Sequence, residues 1–150
     1  MKIQKVNIKI SGDFEIGMKV GDGTIFIDTT GKIVDIELNG NTGYNMSGKV
    51  SSIGSTSIGY DMSGKVSLIG ITSIKYNMSG NISLIEGTSI GYNISGKVSS
   101  IESTSIGYNM SGKVSSIGNN AIGYNMSGKV NSGNRVIIYN DITFALKGGH

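Results

Sequence analysis

Few side chains in this chain could do chemistry, and most of them recur at one interval. Lysine stands at Lys49, Lys65, Lys97, Lys113 and Lys129, with Asn81 in the one interrupted place. Such a column could be a basic stripe for phosphate or an anionic polymer. The simpler reading is a solvated row that pairs with Asp or Asn across a hairpin and discourages aggregation. Tyrosine stands at Tyr44, Tyr60, Tyr76, Tyr92, Tyr108 and Tyr124. These rings could stack sugars or bases, but a periodic aromatic column is more simply core. Thr56, Thr72, Thr88 and Thr104 form a further column, broken by Asn120, that is thin for an ice-binding array. Asn45, Asn77, Asn81, Asn93, Asn109 and Asn125 each open an Asn-x-Ser glycosylation sequon, and each is equally explained as a turn residue.

Catalysis has little to work with. The one histidine is His150, and there is no cysteine. Glu86 and Glu102 share a column, but neither has an acid–base partner in sequence. Gly21-Asp22-Gly23 lacks the further Gly, the Lys and the helix of a phosphate loop. No His/Cys/Asp/Glu spacing suggests a metal site. The sequence therefore reads as non-enzymatic, with no cofactor.

The elements that position these residues follow from the repeat. GYNMSGKVSSIG at 43–54 recurs letter for letter at 107–118. The period is 16, and every column obeys it: Tyr; then Gly48, Gly64, Gly80, Gly96, Gly112 and Gly128; then Val50, Val66, Ile82, Val98, Val114 and Val130. One isoleucine column runs through Ile58, Ile74, Ile90, Ile106 and Ile122, and another through Ile53, Ile69, Ile85, Ile101 and Ile117. An even period keeps each column on one face of a strand. Gly, Ser, Asn and β-branched residues are weak helix formers. The fold is expected to be all-β.

Asn or Asp after the tyrosine, with Gly three places later, signals a hairpin. The side chain bonds main chain two residues on, and the Gly takes the left-handed position that makes a bulge. This pairs Tyr60 with Val66, Asp61 with Lys65 and Ile58 with residue 68. Met62 falls in step with Ile58 and Tyr60 and is expected on their face. Ile69 has the opposite parity from Val66, so a bulge returns it to the apolar face or it packs on the other. Gly54-Ser55-Thr56-Ser57 supplies a second, softer turn. The expected architecture is an antiparallel β-hairpin repeat array, a coiled meander sheet. The alternative is a β-solenoid with 16 residues per coil.

The phrase Ile27-Asp28-Thr29-Thr30-Gly31-Lys32-Ile33 has the same layout, so repeat-like sequence begins near residue 24. The expected organisation is one domain: N-terminal cap hairpins over 1–38, including the degenerate copy at 27–33, six repeats over 39–130, and C-terminal cap strands over 131–150. Alternating Phe14, Ile16, Met18 and Val20 read as a strand turning at Gly21-Asp22-Gly23. Val136–Tyr139 and the set Ile142, Phe144 and Leu146 read as strands joined by a turn that has lost its Gly. Some sixteen strands are too many for one flat sheet, which should coil, close or split into two layers. An open apolar face would need cover from a partner copy or another protein. A stack of like units should also tolerate removal of one, such as 60–75.

Tyr60-Asp61-Met62-Ser63-Gly64-Lys65-Val66 resembles the core of the YD repeats of RHS and teneurin-type proteins. The resemblance covers 44–130, and 27–33 weakly. It implies consecutive hairpins in a long coiled sheet, often a hollow shell. The chain departs from the family in having Ile58 where a second Tyr is usual, a shorter repeat, Asn for Asp in five of six copies, and Lys for Arg. No toxin or protease core is visible.

Composition bounds the rest. The 150 residues include 24 Gly and no Pro, so every amide can join a ladder. Residues 1–43 carry five Lys and six acids, whereas 44–130 carry six Lys and three acids. One Arg and a sparse lysine column are not the dense basic patch of a nucleic-acid binder. The opening MKIQKVNIKISGDFE has no apolar signal-peptide core, and no stretch reaches the roughly 18–20 apolar residues of a membrane helix. A cytosolic protein or a mature surface form is expected. The ending KGGH fits native sequence or a tag. The role expected is structural or adhesive: a scaffold or shell segment that self-associates or meets a protein partner through its apolar sheet face. The alternative is a module that binds carbohydrate or an anionic polymer through one sheet face.

Overall fold

The computed structural model describes residues 3–20, 23–37 and 41–148. The expected turn at Gly21-Asp22 and the terminal His150 lie outside these. Four strands open the chain: β1 (Ile3–Lys9), β2 (Phe14–Val20), β3 (Gly23–Asp28) and β4 (Ile33–Glu37). The repeats supply β5 (Thr42–Tyr44), β6 (Val50–Ile53), β7 (Thr56–Tyr60), β8 (Val66–Ile69), β9 (Thr72–Tyr76), β10 (Ile82–Ile85), β11 (Thr88–Tyr92), β12 (Val98–Ile101), β13 (Thr104–Tyr108), β14 (Val114–Ile117), β15 (Asn120–Ala121), β16 (Gly123–Tyr124) and β17 (Val130–Ser132). The chain continues through β18 (Val136–Tyr139) and β19 (Ile142–Lys147). Among the described residues there is no helix, and so none long and apolar enough to cross a membrane.

The repeats form an eleven-stranded sheet in chain order from β5 to β15, followed by β16 and β17 as a separate two-stranded sheet. Every pairing within it is antiparallel, so the fold is a hairpin array and not a solenoid. Each turn begins with the amide of Asn or Asp donating to the carbonyl four residues on, as in Asp61 N to Lys65 O at 2.8 Å, and closes with Gly64 N to Asp61 O at 3.0 Å. The Asp61 carboxylate accepts from the Ser63 and Lys65 amides at 2.8 and 3.0 Å. Asn45, Asn77, Asn109 and Asn125 do the same with their Oδ1 atoms. The turn glycines hold φ between 81° and 85°, a region closed to β-branched residues.

Tyr60 pairs with Val66, but Ile58 pairs with Ile69 rather than residue 68. Ser67 is an extra residue between Val66 and Leu68, a bulge that reverses parity. Both isoleucine columns and the inner valines therefore reach one face, and nearly all are buried. The methionines do not join them. Met46, Met62, Met78, Met110 and Met126, with Ile94, project wholly into solvent. Each sits at a turn tip, past the last ladder pair, where strand alternation no longer assigns a face.

The two ends of the chain meet. They combine in a second, six-stranded sheet, ordered β18-β19-β1-β2-β3-β4. β1 and β19 run parallel, joining the first strand to the last. The degenerate copy at 27–33 makes the same Asp-x-x-Gly turn, with φ of 86° at Gly31, yet its strands belong to this second sheet. One core unites the two sheets: Val6, Ile8, Phe14, Ile16, Met18, Ile25 and Phe144 bury with the isoleucine columns. The expected outside cover for the array is thus supplied by the chain itself. Two hairpin tips of the smaller sheet fasten it to the larger. Gly31 O and Thr29 O accept from Val66 N and Ile82 N at 3.0 and 2.8 Å, and Ile10 O accepts from Val114 N at 2.9 Å.

Candidate functional site

The recurring polar side chains point along the array, each to the next repeat. The hydroxyls of Tyr60, Tyr92, Tyr108 and Tyr124 donate to the carbonyls of Val50, Ile82, Val98 and Val114 at 2.6 Å, ten residues earlier. Tyr76 does the same to Val66. The ammonium groups reach forward. Lys49 Nζ donates to Gly64 O at 2.9 Å, Lys97 Nζ to Gly112 O at 2.6 Å and Lys113 Nζ to Gly128 O at 3.4 Å. Lys65 Nζ donates likewise to Gly80 O. Each of these four ammoniums also lies 5.1–5.3 Å from the ring centre of the following tyrosine. Each lysine link is charge-assisted and carries an aromatic contact, and so is stronger than a neutral surface contact. Lys129, the last of the column, is exposed.

The tyrosine rings are partly buried against the core, except Tyr44, which is 65% exposed. Burial pushes the phenols of Tyr76, Tyr92 and Tyr108 strongly up, with Asp61 and Asp28 adding to Tyr76 and Asp13 to Tyr108. Tyr60 and Tyr124 shift the same way by burial, Arg135 opposing at Tyr124. Unfolded tyrosines ionise near pH ~10. Above that pH the unfolded chain loses protons that the folded one keeps, so stability should hold through neutral pH and fall as pH rises past ~10. Denaturation midpoints measured against pH check this, and Tyr92→Phe should flatten the alkaline slope.

Asn81 shows what the lysine does. It stands where a lysine would serve Gly96 and Tyr92, and there the turn glycine is exposed with open space around it. Asn81→Lys should complete the row, adding roughly 0.5–1 kcal/mol by one ammonium–ring contact. That corresponds to a melting temperature higher by about 1–4 °C.

Two clefts open beside the array. One, of about 640 Å³, lies between β4 and the first repeats, lined by Ile33, Ile36, Val50, Tyr60, Lys49 and Lys65. The other, of about 880 Å³, lies at the soft-turn edge over Ile3, Ile85 and Ile142, with Lys19, Glu86, Glu102 and Asp141 at its rim. Glu86 and Glu102 hold φ of 53° and 55° at the first position of their two-residue turns, where Gly54, Gly70 and Gly118 stand elsewhere. Sequence reading found the shared Glu column; the glycines in the same column signal this conformation, whereas nothing in the sequence signals the cleft. The threonine column is not an outward array: Thr72 and Thr104 are buried. Among the described residues no three His, Cys, Asp or Glu side chains are grouped to hold a metal ion. Together the fold and the interlocked columns define an all-β hairpin-repeat protein. Comparison with protein-family models, curated proteins and solved structures found no match.

Proposed function

We infer that this chain is a non-enzymatic structural or adhesive module, a scaffold or shell segment. One observation carries the reading: the tyrosines from Tyr60 to Tyr124, and Lys49, Lys65, Lys97 and Lys113, are engaged by the neighbouring repeat. Asn and Asp hold their own turns, tyrosine hydroxyls bond backward and lysine ammoniums bond forward. Selection for such a pattern is selection for a continuous sheet. The exposed tips, methionine in five repeats and Ile94 in the sixth, form the surface that an adhesive role would use, since methionine adapts to varied partners. The hairpin-after-hairpin folding of Tyr-Asn/Asp-x-x-Gly-Lys-Val also supports a kinship with YD repeats.

The test replaces Lys49, Lys65, Lys97 and Lys113 together by Gln. If these lysines hold the sheet, melting falls by roughly 5–15 °C, four links at about 0.5–1 kcal/mol each. Retention on heparin should then fall no further than when Lys9, Lys19, Lys75 and Lys147, outside the column, are replaced by Gln. An unchanged melting temperature with loss of salt-sensitive heparin binding would support the anionic-polymer alternative instead. Salt-insensitive binding on a glycan array would support carbohydrate.

A further inference from the structure

The link between repeats has two halves, and each end of the array carries one half unused. At the start, Tyr44 has a free hydroxyl and an exposed ring, and Gly48 has open space around it. Ten residues before Tyr44 is Val34, whose strand β4 lies in the other sheet. At the finish, Lys129 is exposed, and fifteen residues beyond it is Phe144, again in the other sheet. Among the described residues, neither the Tyr44 hydroxyl nor the Lys129 ammonium has a hydrogen-bond partner. The donors and acceptors left over at one end are those missing at the other.

We propose that copies of this chain join head to tail, the first repeat of one copy seating on the last repeat of the next. Tyr44 of the incoming copy donates to Val130 O, and Lys129 donates to that copy's Gly48 O and covers its Tyr44 ring. This repeats the geometry found at Tyr60 with Val50 and Lys49 with Gly64. The sheet edges agree. β5 and β17 each have a strand neighbour on one side only, and β4 and β18 are the two edges of the smaller sheet. β4 lies beside the first repeats, as the cleft it shares with Val50 and Tyr60 shows. β18 lies beside the last, where Asn119 N donates to the Tyr139 hydroxyl at 3.1 Å. Both sheets therefore end together, and one contact extends both. Exposed Asp35 and Glu37 stand at the β4 end, and exposed Lys129 at the other. Val34 is 42% exposed at the first end, and Val136 and Ile138 are 60% and 68% exposed at the second. Because the two surfaces differ, the contact does not close on itself and generates chains of copies.

This deepens the scaffold reading and rests on it, and the experiment separates the two. Sedimentation of the whole chain should show mass rising with concentration without a limiting size. Tyr44→Ala removes the head and Lys129→Glu the tail; both sites are exposed, so melting should stay as in the parent. Each variant alone should associate at least about tenfold more weakly, because the tail variant loses a charge-assisted bond and the head variant a phenol hydrogen bond with its ammonium–ring contact. Mixed together they should form one-to-one dimers and nothing larger, since one good head meets one good tail. A parent that stays monomeric at its highest soluble concentration overturns the proposal. So does a mixture that fails to dimerise, or single variants that polymerise like the parent. If the four-lysine variant loses melting temperature while the parent is monomeric, the scaffold reading stands and head-to-tail joining falls.

Discussion

Gly31→Val should cost roughly 2–6 kcal/mol, whereas Gly48→Val should cost about 1–3 kcal/mol. The two glycines have nearly equal φ, 86° and 83°, so the backbone strain of a β-branched residue is common to both. Their surroundings differ. A Cβ on Gly31 would come within 2.7 Å of the Tyr76 ring, while a Cβ on Gly48 meets nothing within 4 Å. Val at 31 must displace a ring that packs on the core, and it disturbs the loop whose carbonyls accept from Val66 N and Ile82 N. Gly64→Val should resemble Gly48→Val, because its Cβ meets the ammonium end of Lys49, a flexible side chain. Urea midpoints of the three variants check this. Equal losses at 31 and 48 would mean that the smaller sheet's tip does not press against the array.

The second large effect is removal of one repeat between the two fastening points. The tip at Gly31 meets Tyr76, and the tip at Gly12 meets Tyr108, with a Cβ there 2.9 Å from the ring. These tyrosines are two repeats apart. The adjacent hairpins that carry the tips thus span four strands of the larger sheet, as expected of a longer sheet coiling around a shorter one. Deleting 92–107 preserves the phrase Gly-Tyr at the join but brings the fastening points one repeat too close. One tip must then release its hydrogen bonds, at about 0.5–1.5 kcal/mol each, and its tyrosine contact. Against a net stability of about 5–15 kcal/mol, a loss of several kcal/mol should leave a markedly less stable or partly open protein. Hydrogen exchange should show the unfastened hairpin losing protection first. A free stack of repeats would tolerate the deletion, as the sequence alone suggests for 60–75. That span includes Val66, itself a fastening residue, so it too should be costly.

The contrast marks where sequence reading succeeds and where it stops. The Asn-x-x-Gly turn, the Tyr60–Val66 pair and the strands at Phe14–Val20 and Ile142–Lys147 follow from local chemistry, and local chemistry is written in neighbouring letters. The parity of Ile69 was ambiguous because one extra residue, Ser67, decides it, and serine carries no bulge signal. Met62 looked like a face residue because alternation was extended one step past the final pair. The union of β1 with β19 has no local cause: residues such as Val6 and Phe144 meet only after everything between them has folded. That union also decided what covers the apolar face. The direction of the lysine links is likewise invisible in sequence, since Lys65 could face Asp61 within its hairpin but instead reaches Gly80.

The account depends most on each copy folding back beside the last. The chain has no cysteine, so an introduced pair reports distance without ambiguity. Ser100 lies directly opposite Ser105, within disulfide reach, whereas Ser116, opposite Gly107, is two strands away and two residues out of line, about 12 Å, beyond it. In a 16-residue coil the relation inverts, and Ser100 would sit above Ser116. Mild oxidation of Ser100→Cys/Ser105→Cys should give an intrachain disulfide in the folded protein, and Ser100→Cys/Ser116→Cys should stay reduced. Ready bridging of the second pair, with none in the first, would contradict the antiparallel array and every link drawn from it.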